Sequence, residues 1–267
     1  MTAWNPDLYL QFGDERTRPS FDLVARVAVA EPRRVVDLGC GPGNSTAVLK
    51  RRWPAAEVVG LDNSPEMIAA ATKADPNGKW VLGDAATWTA TEPADVVFSN
   101  ATLHWIPDHA TAIPHLYRQV APGGALAVQM PAHFDSPIHR LIATVADRPG
   151  WKGTPATGKN AFTVHRPEAY YDILAPLATS VDVWVTEYQH IMPDATAVLN
   201  WIRGTGLRPT LAALADAERA EFERQLLAEI ERAFPKRPDG KVLFPFRRLF
   251  VVARRNPDTG GTSYSRP

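Results

Sequence analysis

One stretch restricts this chain more than any other: Arg34-Val-Val-Asp-Leu-Gly-Cys-Gly-Pro-Gly-Asn-Ser-Thr46. Arg34, Val35 and Val36 read as a short apolar strand. Asp37 follows, then Gly39, Gly41 and Gly43 at two-residue steps, and a helix begins at Asn44. Glycine lacks a Cβ, so the chain can turn sharply there and bring bare backbone within hydrogen-bonding distance of a ligand. The helix N-terminus adds N–H groups with no partner inside the helix. Strand, glycine turn and helix in that order predict an open α/β sheet with a small-molecule site at the carboxyl end of the strand. The bland alternative is a tight turn with no ligand. A dinucleotide turn carries two residues between its second and third glycines. Here Pro42 stands alone in that place, which makes a nicotinamide dehydrogenase the weakest reading.

The same grammar recurs downstream. Glu57–Asp62 reads as a second strand ending in an acid, and Ser64-Pro65-Glu66 supplies a cap, a first-turn proline and an acid near the positive end of a helix dipole. Asp62, with Asn63 beside it, is placed to face the ribose of a nucleoside, because a carboxylate can accept both hydrogen bonds of a vicinal diol; the plain alternative is a capping aspartate. Lys79–Ala85 is a third strand ending in Gly-Asp. Ala94–Asn100 is a fourth, followed by a loop with His104 and Trp105. A turn at Pro122-Gly-Gly124 leads into a fifth strand over 125–130, and two more strands are expected over 181–188 and 249–253. Helices are expected over Phe21–Val29 with Ser20 as cap, from Asp108 to Val120, over 137–147 and over 167–177. Residues 191–241 interrupt the sheet pattern with helices over 195–203 and 219–234, the latter with Phe222, Leu226 and Ile230 on one face.

Lys+Arg and Asp+Glu both number 29, so a broad basic surface for nucleic acid is absent. No apolar run approaches a membrane span and no signal peptide is expected, so the chain reads as a cytoplasmic protein. Cys40 is the only cysteine, which excludes an intramolecular disulfide and suggests a small residue packed near the ligand.

The pattern Asp-x-Gly-x-Gly-x-Gly resembles motif I of the class I methyltransferases, which bind S-adenosylmethionine (SAM). The fold this implies is Rossmann-like α/β: a seven-stranded, mostly parallel sheet whose last strand is antiparallel and inserted between the fifth and sixth. The implied cofactor residues are Asp37, Gly39, Gly41, Gly43, Asp62, Asn63, Asp84, Ala85 and Asn100, with Asp84 accepting from the adenine amino group and the next backbone N–H reaching a ring nitrogen. Trp4–Phe12, Ser99–Trp105, Trp201–Pro209 and Phe244–Phe250 resemble the trans-aconitate 2-methyltransferases in particular, with Asn5 where that family more often has Asp. This implies SAM-dependent esterification of a small tricarboxylate. The expected organisation is an N-terminal arm or lid over 1–19, a SAM-binding core over 20–190 and 242–255, a helical cap insert over 191–241 and a disordered tail over 256–267. A monomer or weak homo-oligomer is expected.

An ionised carboxylate needs no general base to accept a methyl group. The catalytic expectation is therefore orientation and water exclusion at His104 and Trp105: His104 is either a donor to a carboxylate or a structural histidine bonded to backbone, and Trp105 walls off water. Arginine suits the carboxylates that do not react, because its fork pairs both oxygens and it stays charged. The candidates are Arg203, Arg208, Arg247 and Arg248 from the cap and final strand, and Arg16 and Arg18 from the arm; Tyr9 and Phe12 would form a lid over the substrate or anchor the arm. Arg247 and Arg248 are adjacent in an extended segment, so at most one is expected to enter the site. His133, His139 and His165 lack metal-ligand spacing, and no metal is expected. Two alternatives remain: a SAM-dependent methyltransferase for another small acceptor, and a SAM-binding module without catalysis.

Overall fold

The computed structural model describes residues 13–132, 136–151 and 162–257, with side chains from Thr17 onward. Trp4, Asn5, Tyr9, Phe12 and His133 lie outside the described residues, as does the tail from Asp258, and of Arg16 only the backbone is described.

Seven strands form one sheet: β1 (Arg34–Leu38), β2 (Glu57–Asp62), β3 (Lys79–Leu82), β4 (Ala94–Asn100), β5 (Val120–Pro131), β6 (Ser180–Met192) and β7 (Val242–Arg254). Their order is β3-β2-β1-β4-β5-β7-β6. The first five are parallel, and β7 runs antiparallel to both β5 and β6. The strand order reverses between β1 and β4, the switch point where an open sheet leaves a crevice at its carboxyl edge.

Alternation along each strand sends side chains to two cores. Val35, Val96, Phe98, Ala127 and Phe250 face one, with Leu23 and Val24 of α1 (Gly13–Ala25) and Val48 and Leu49 of α2 (Asn44–Arg52). Val36, Leu38, Val97, Val128 and Val251 face the other, with Ile113 and Leu116 of α4 (His109–Arg118) and Tyr170 and Leu174 of α6 (Pro167–Leu174). Strands buried on both faces read as apolar runs, which is why the sequence pattern was clear there. Between β2 and β3, α3 (Pro65–Ala74) starts as expected: Ser64 caps it by accepting from the Met67 N–H at 3.2 Å.

A third core lies beyond the carboxyl edge. It joins α7 (Ala195–Arg203), α8 (Arg208–Ala212) and α9 (Asp216–Ala233) to α5 (Pro137–Ala146), through Ile138, Ile142, Val198, Ile202, Phe222 and Leu226. Residues 191–241 thus share their core with α5. Met192, Val242 and Phe244 belong to it too, because β6 and β7 run on past the sheet as a two-stranded ribbon from Glu187↔Arg247 to Met192↔Val242.

Three expectations about elements are corrected. Helix α1 begins at Gly13 and passes through Pro19, so Ser20 is buried rather than a cap. Pro122-Gly-Gly124 is no turn between elements. It lies within β5, where the register to β4 shifts between Ala94 and Val96 and Gly123 takes φ +78°. Strand β3 stops at Leu82, and Asp84 then accepts from the Ala86 N–H at 2.9 Å in a local turn.

Candidate active site

The glycine turn after β1 folds back onto β2. The N–H groups of Gly39 and Cys40 both donate to the Leu61 carbonyl, at 2.7 and 3.0 Å. Asp62 fastens the next step: its Oδ2 accepts from the Gly41 N–H and its Oδ1 from the Ser64 N–H, both at 2.9 Å. Gly39 takes φ +73°, and a Cβ there would fall 1.9 Å from Thr102 Oγ1. The chain after β4 therefore closes directly on the turn. Gly43, at φ +95°, precedes α2 without a side-chain cap, leaving the first-turn N–H groups for another partner.

Asp37 is fully buried, and Ser45 and Thr46 each donate a hydroxyl to its Oδ2 at 2.7 Å. Its Oδ1 has no partner among the described residues, and neither does the buried Oδ1 of Asn100. Burial outweighs the two hydroxyls and pushes the Asp37 carboxyl up to about 6. Thr17 and Ser20 of α1, Gly39, Cys40, Asn44 and Asn100 line a groove of roughly 280 Å³ at this point. Buried acceptors that lack donors, beside bare helix N–H groups, fit a ligand carrying an ammonium and a carboxylate, as SAM does. Asp62 retains a lone pair on each oxygen for ribose, and the Asp84 side chain and the Ala85 backbone close β3 on the same edge. Asn63 is exposed beside Asp62. Burial pushes the Cys40 thiol up, so it is a packed, protonated side chain.

A second, larger pocket of roughly 730 Å³ opens between the sheet edge and the cap. Ala101, His104, Trp105, Pro131, Phe246 and Arg248 form its sheet side. Ile138, His139, Ile142, Trp201, Ile202, Thr205 and Gly206 form its cap side, and Phe162 closes it. The lining is largely apolar, and Arg248 is its one permanent cation among the described residues. His104 and Trp105 sit on a short 3-10 turn, Leu103–Trp105, that a buried relay holds. His109 Nε2 donates to the Leu103 carbonyl at 2.8 Å, so its Nδ1 accepts from Tyr170 Oη, also at 2.8 Å. The Phe162 ring lies 5.6 Å from His104 and 4.6 Å from Trp105. Burial first, then the nearby Arg248 charge, pushes His104 down to about 3, so its imidazole is neutral at pH 7. Ala101 holds φ +56°, a left-handed conformation that costs an alanine about 1–2 kcal/mol. This strained residue follows Asn100 directly: Asn100 lines the cofactor groove and Ala101 the larger pocket.

Of the candidate arginines, Arg248 lines this pocket, and Arg203, Arg208 and Arg247 do not. Arg203 holds Glu223 with both arms of its fork, at 2.7 and 2.9 Å, and Asn200 with the third nitrogen, so it ties α7 to α9. Arg208 begins α8 and does not line the pocket. Arg247 turns outward to Glu187 at 2.7 Å, with 43% of its side chain exposed. Its neighbour Arg248 is 3% exposed and enters the pocket. The reason is register. Arg248 pairs with Pro131 at the last rung of β5 and shares a strand face with Phe246 and Phe250. Its guanidinium stacks over Phe246 at 4.8 Å, and Nη1 donates to Gln129 Oε1 at 3.3 Å. Tyr9 lies outside the described residues, as does the Arg16 side chain. His139, Phe162, Trp201 and Thr205 line the pocket without having been singled out for it. Only the alternation rule applied from Phe250 or Phe246 could have favoured Arg248 over Arg247, and the others had no local signal. Among the described residues no cluster of His, Cys, Asp or Glu could hold a metal ion.

Residues 35–124 match the family model described as a methyltransferase domain. The chain is 50% identical over 258 residues to a trans-aconitate 2-methyltransferase of Methylobacterium radiotolerans, covering 96% of this chain and 99% of that protein. It is 47% identical to a trans-aconitate 2-methyltransferase of an Azoarcus species, covering 96% of this chain and all of that protein. Among solved structures, YcgJ of Bacillus subtilis superposes with a TM-score of 0.58 at 15% identity, over 90% of this chain and 99% of that one, a likeness of fold.

Proposed function

The chain belongs to the trans-aconitate 2-methyltransferase family, and on that premise we propose that it methylates one carboxylate of trans-aconitate with SAM, giving a monomethyl ester and S-adenosylhomocysteine. The observation that carries this reading is the step from Asn100 to Ala101. Consecutive residues at the carboxyl end of β4 line a groove suited to an ammonium-bearing nucleoside and an enclosed pocket with a buried arginine. Transfer between two bound molecules needs that adjacency.

Bound SAM supplies an electrophilic methyl group on a sulfonium. Asp37 and Asn100 would hold it through their unpaired oxygens, and Asp62 through the lone pairs left after Gly41 and Ser64. Arg248 would pair with a carboxylate of the acceptor from the sheet side, the one of the two adjacent arginines that enters the pocket. His104, neutral and buried, can donate one N–H to a carboxylate without competing for a proton. Phe162 stacks on His104 and Trp105 packs against both rings at a tilt, and together they would wall off water. Exclusion matters because water stabilises the separate charges of carboxylate and sulfonium more than the partly neutralised transition state. No general base is required, since the acceptor is already ionised at pH 7. The cap helices with α5 would form the acceptor half of the enzyme, and the sheet the cofactor half. No helix among the described residues is long and apolar enough to cross a membrane.

Labelled methyl transfer from SAM across a panel of di- and tricarboxylates tests the reading. The expected result is base-labile ester formed fastest on trans-aconitate, with S-adenosylhomocysteine binding and NAD not binding. Cofactor binding without ester formation on any carboxylate would overturn it.

A further inference from the structure

Among the described residues that line the cofactor groove, two carry buried side-chain oxygens without a partner, Asn100 and Ser20. Ser20 stands in α1, on the stripe that continues three and four residues on as Leu23 and Val24. Those two pack into the sheet core, so the stripe runs out of that core and ends in the groove wall. A serine inside a helix ordinarily turns its hydroxyl to water or back to the carbonyl one turn earlier. Ser20 does neither: it is 0% exposed, and its Oγ has no hydrogen-bond partner. Alanine would extend the stripe without the desolvation cost of a hydroxyl, so the empty protein gains nothing from Oγ. The groove gives it a use. Asn44 and Ser45, in the first turn of α2, line the same groove, and no side chain caps that helix at Gly43. The Ser45 hydroxyl is already donated to Asp37. Asn100 Oδ1 can only accept, which suits the ammonium of SAM; Ser20 Oγ can donate, which suits the carboxylate.

We infer that Ser20 is a cofactor-binding residue, donating its hydroxyl to the carboxylate at the amino-acid end of SAM. This rests on SAM lying in the groove, as proposed above, and not on which acid accepts the methyl group. The carboxylate is then held by two elements at once, the backbone N–H groups of α2 and a hydroxyl of α1. An anion at the first turn of a helix is stabilised by the dipole and by N–H groups with no partner inside the helix. The hydroxyl adds one directed bond from a second side. Helix α1 thereby becomes part of the cofactor site as well as a cover for the sheet. Loss of the hydroxyl should have opposite effects on the empty and the loaded protein, which a serine that only packs would not show.

The test is Ser20→Ala and Ser20→Cys, with thermal midpoints of the ligand-free proteins and calorimetric affinities for two probes. One probe is S-adenosylhomocysteine; the other is its decarboxylated analogue, which keeps the ammonium and the nucleoside. Alanine should weaken S-adenosylhomocysteine by about 10-fold, the lower end for a hydrogen bond to a charged group, and leave the decarboxylated analogue within about twofold. The ligand-free midpoint of the alanine variant should stay level or rise, because an unmet hydroxyl leaves the interior. Cysteine, near serine in size and a weak donor, should bind S-adenosylhomocysteine with an affinity between those of wild type and alanine. An alanine variant that binds S-adenosylhomocysteine within about twofold of wild type overturns the inference. So does an equal loss for both probes, because Ser20 would then not meet the carboxylate. A lower ligand-free midpoint overturns it as well, since the hydroxyl would already have a partner in the empty protein. A wild type that does not bind S-adenosylhomocysteine at all is a different failure: it removes SAM from the groove, and the functional reading with it.

Discussion

Adjacent arginines on β7 offer a sharp test, because substitution at either removes the same chemical group from environments that differ in almost everything else. Arg248 is 3% exposed and lines the acceptor pocket; Arg247 points to solvent and pairs with Glu187. For Arg248→Ala, the lost interaction is a charged hydrogen bond to substrate, worth about 1.5–3 kcal/mol, or roughly 10- to 150-fold in kcat/KM for trans-aconitate. Most of that should appear in KM. Lysine at 248 keeps the charge but loses the fork, the stacking on Phe246 and the Gln129 contact, and should fall between wild type and alanine. For Arg247→Ala, the loss is an ion pair whose two side chains are 43% and 39% exposed, which at such a surface contributes about 0–1 kcal/mol to stability. Its kcat/KM should stay within about threefold of wild type. Initial rates at saturating SAM, with thermal midpoints and S-adenosylhomocysteine titration as checks on folding, measure all of this. Equal defects at 247 and 248, or a larger one at 247, would refute the placement of the substrate on the inner face of β7.

Three further outcomes follow from the cofactor groove. Burial holds the Asp37 carboxyl up at about 6 against an ordinary 3.8, so between those values the folded chain binds more protons than the unfolded one; this group's contribution to stability is therefore greatest at low pH and falls as pH rises to about 6, by about 3 kcal/mol at 1.36 kcal/mol per pH unit. Asp37→Asn should flatten the thermal midpoint of the cofactor-free protein over that window, and parallel pH curves for the two proteins would contradict the assignment. Gly39→Ala drives a Cβ to 1.9 Å from Thr102 at φ +73° and should unfold the turn, whereas Gly41→Ala, at φ +55° with no atom within 4 Å, should cost about 1–2 kcal/mol of stability; thermal melts of the pair decide. Asp62→Ala should weaken S-adenosylhomocysteine by about 1.5–3 kcal/mol in calorimetry and leave the cofactor-saturated KM for the acceptor nearly unchanged, and an undiminished affinity would remove Asp62 from the site.

The cofactor half of the site was legible in the sequence because its signals are local. Asp37, the three glycines and the hydroxyls of Ser45 and Thr46 lie within ten residues of one another, and each carries its meaning through backbone conformation or a short hydrogen bond. The sheet was legible for a related reason: doubly buried strands are continuous apolar runs. The acceptor half depends on long-range geometry. Whether 247 or 248 faces inward is a matter of parity in a strand, and a shift of one residue reverses it. Arg203 looked available until its partner Glu223 arrived from another helix. His139 sits in a helix whose pattern says only that one face is apolar; that it lines the pocket, with Gly206 from far along the chain packed close to its ring, is a matter of tertiary geometry. Strand β5 runs through the Gly123-Gly124 pair because the irregularity is absorbed in its pairing with β4, while Gly123 donates to the Asn256 carbonyl and Gly124 accepts from the Arg255 N–H just beyond β7, so a stretch that local turn propensity would read as an end stays in the sheet.

The ribbon formed by the outer halves of β6 and β7 has a consequence for how such enzymes diversify. Met192 and Val242 are direct partners across it, so the chain leaves for the cap and returns at neighbouring points. The intervening segment is therefore plugged into a socket whose geometry the sheet dictates, and its root is a paired double strand rather than a floppy tether. Exchanging that segment together with α5 between homologues should transplant acceptor choice as a unit, while the glycine turn and its nucleoside chemistry stay with the recipient. A scaffold of this kind lets one half drift toward new acids without renegotiating the other.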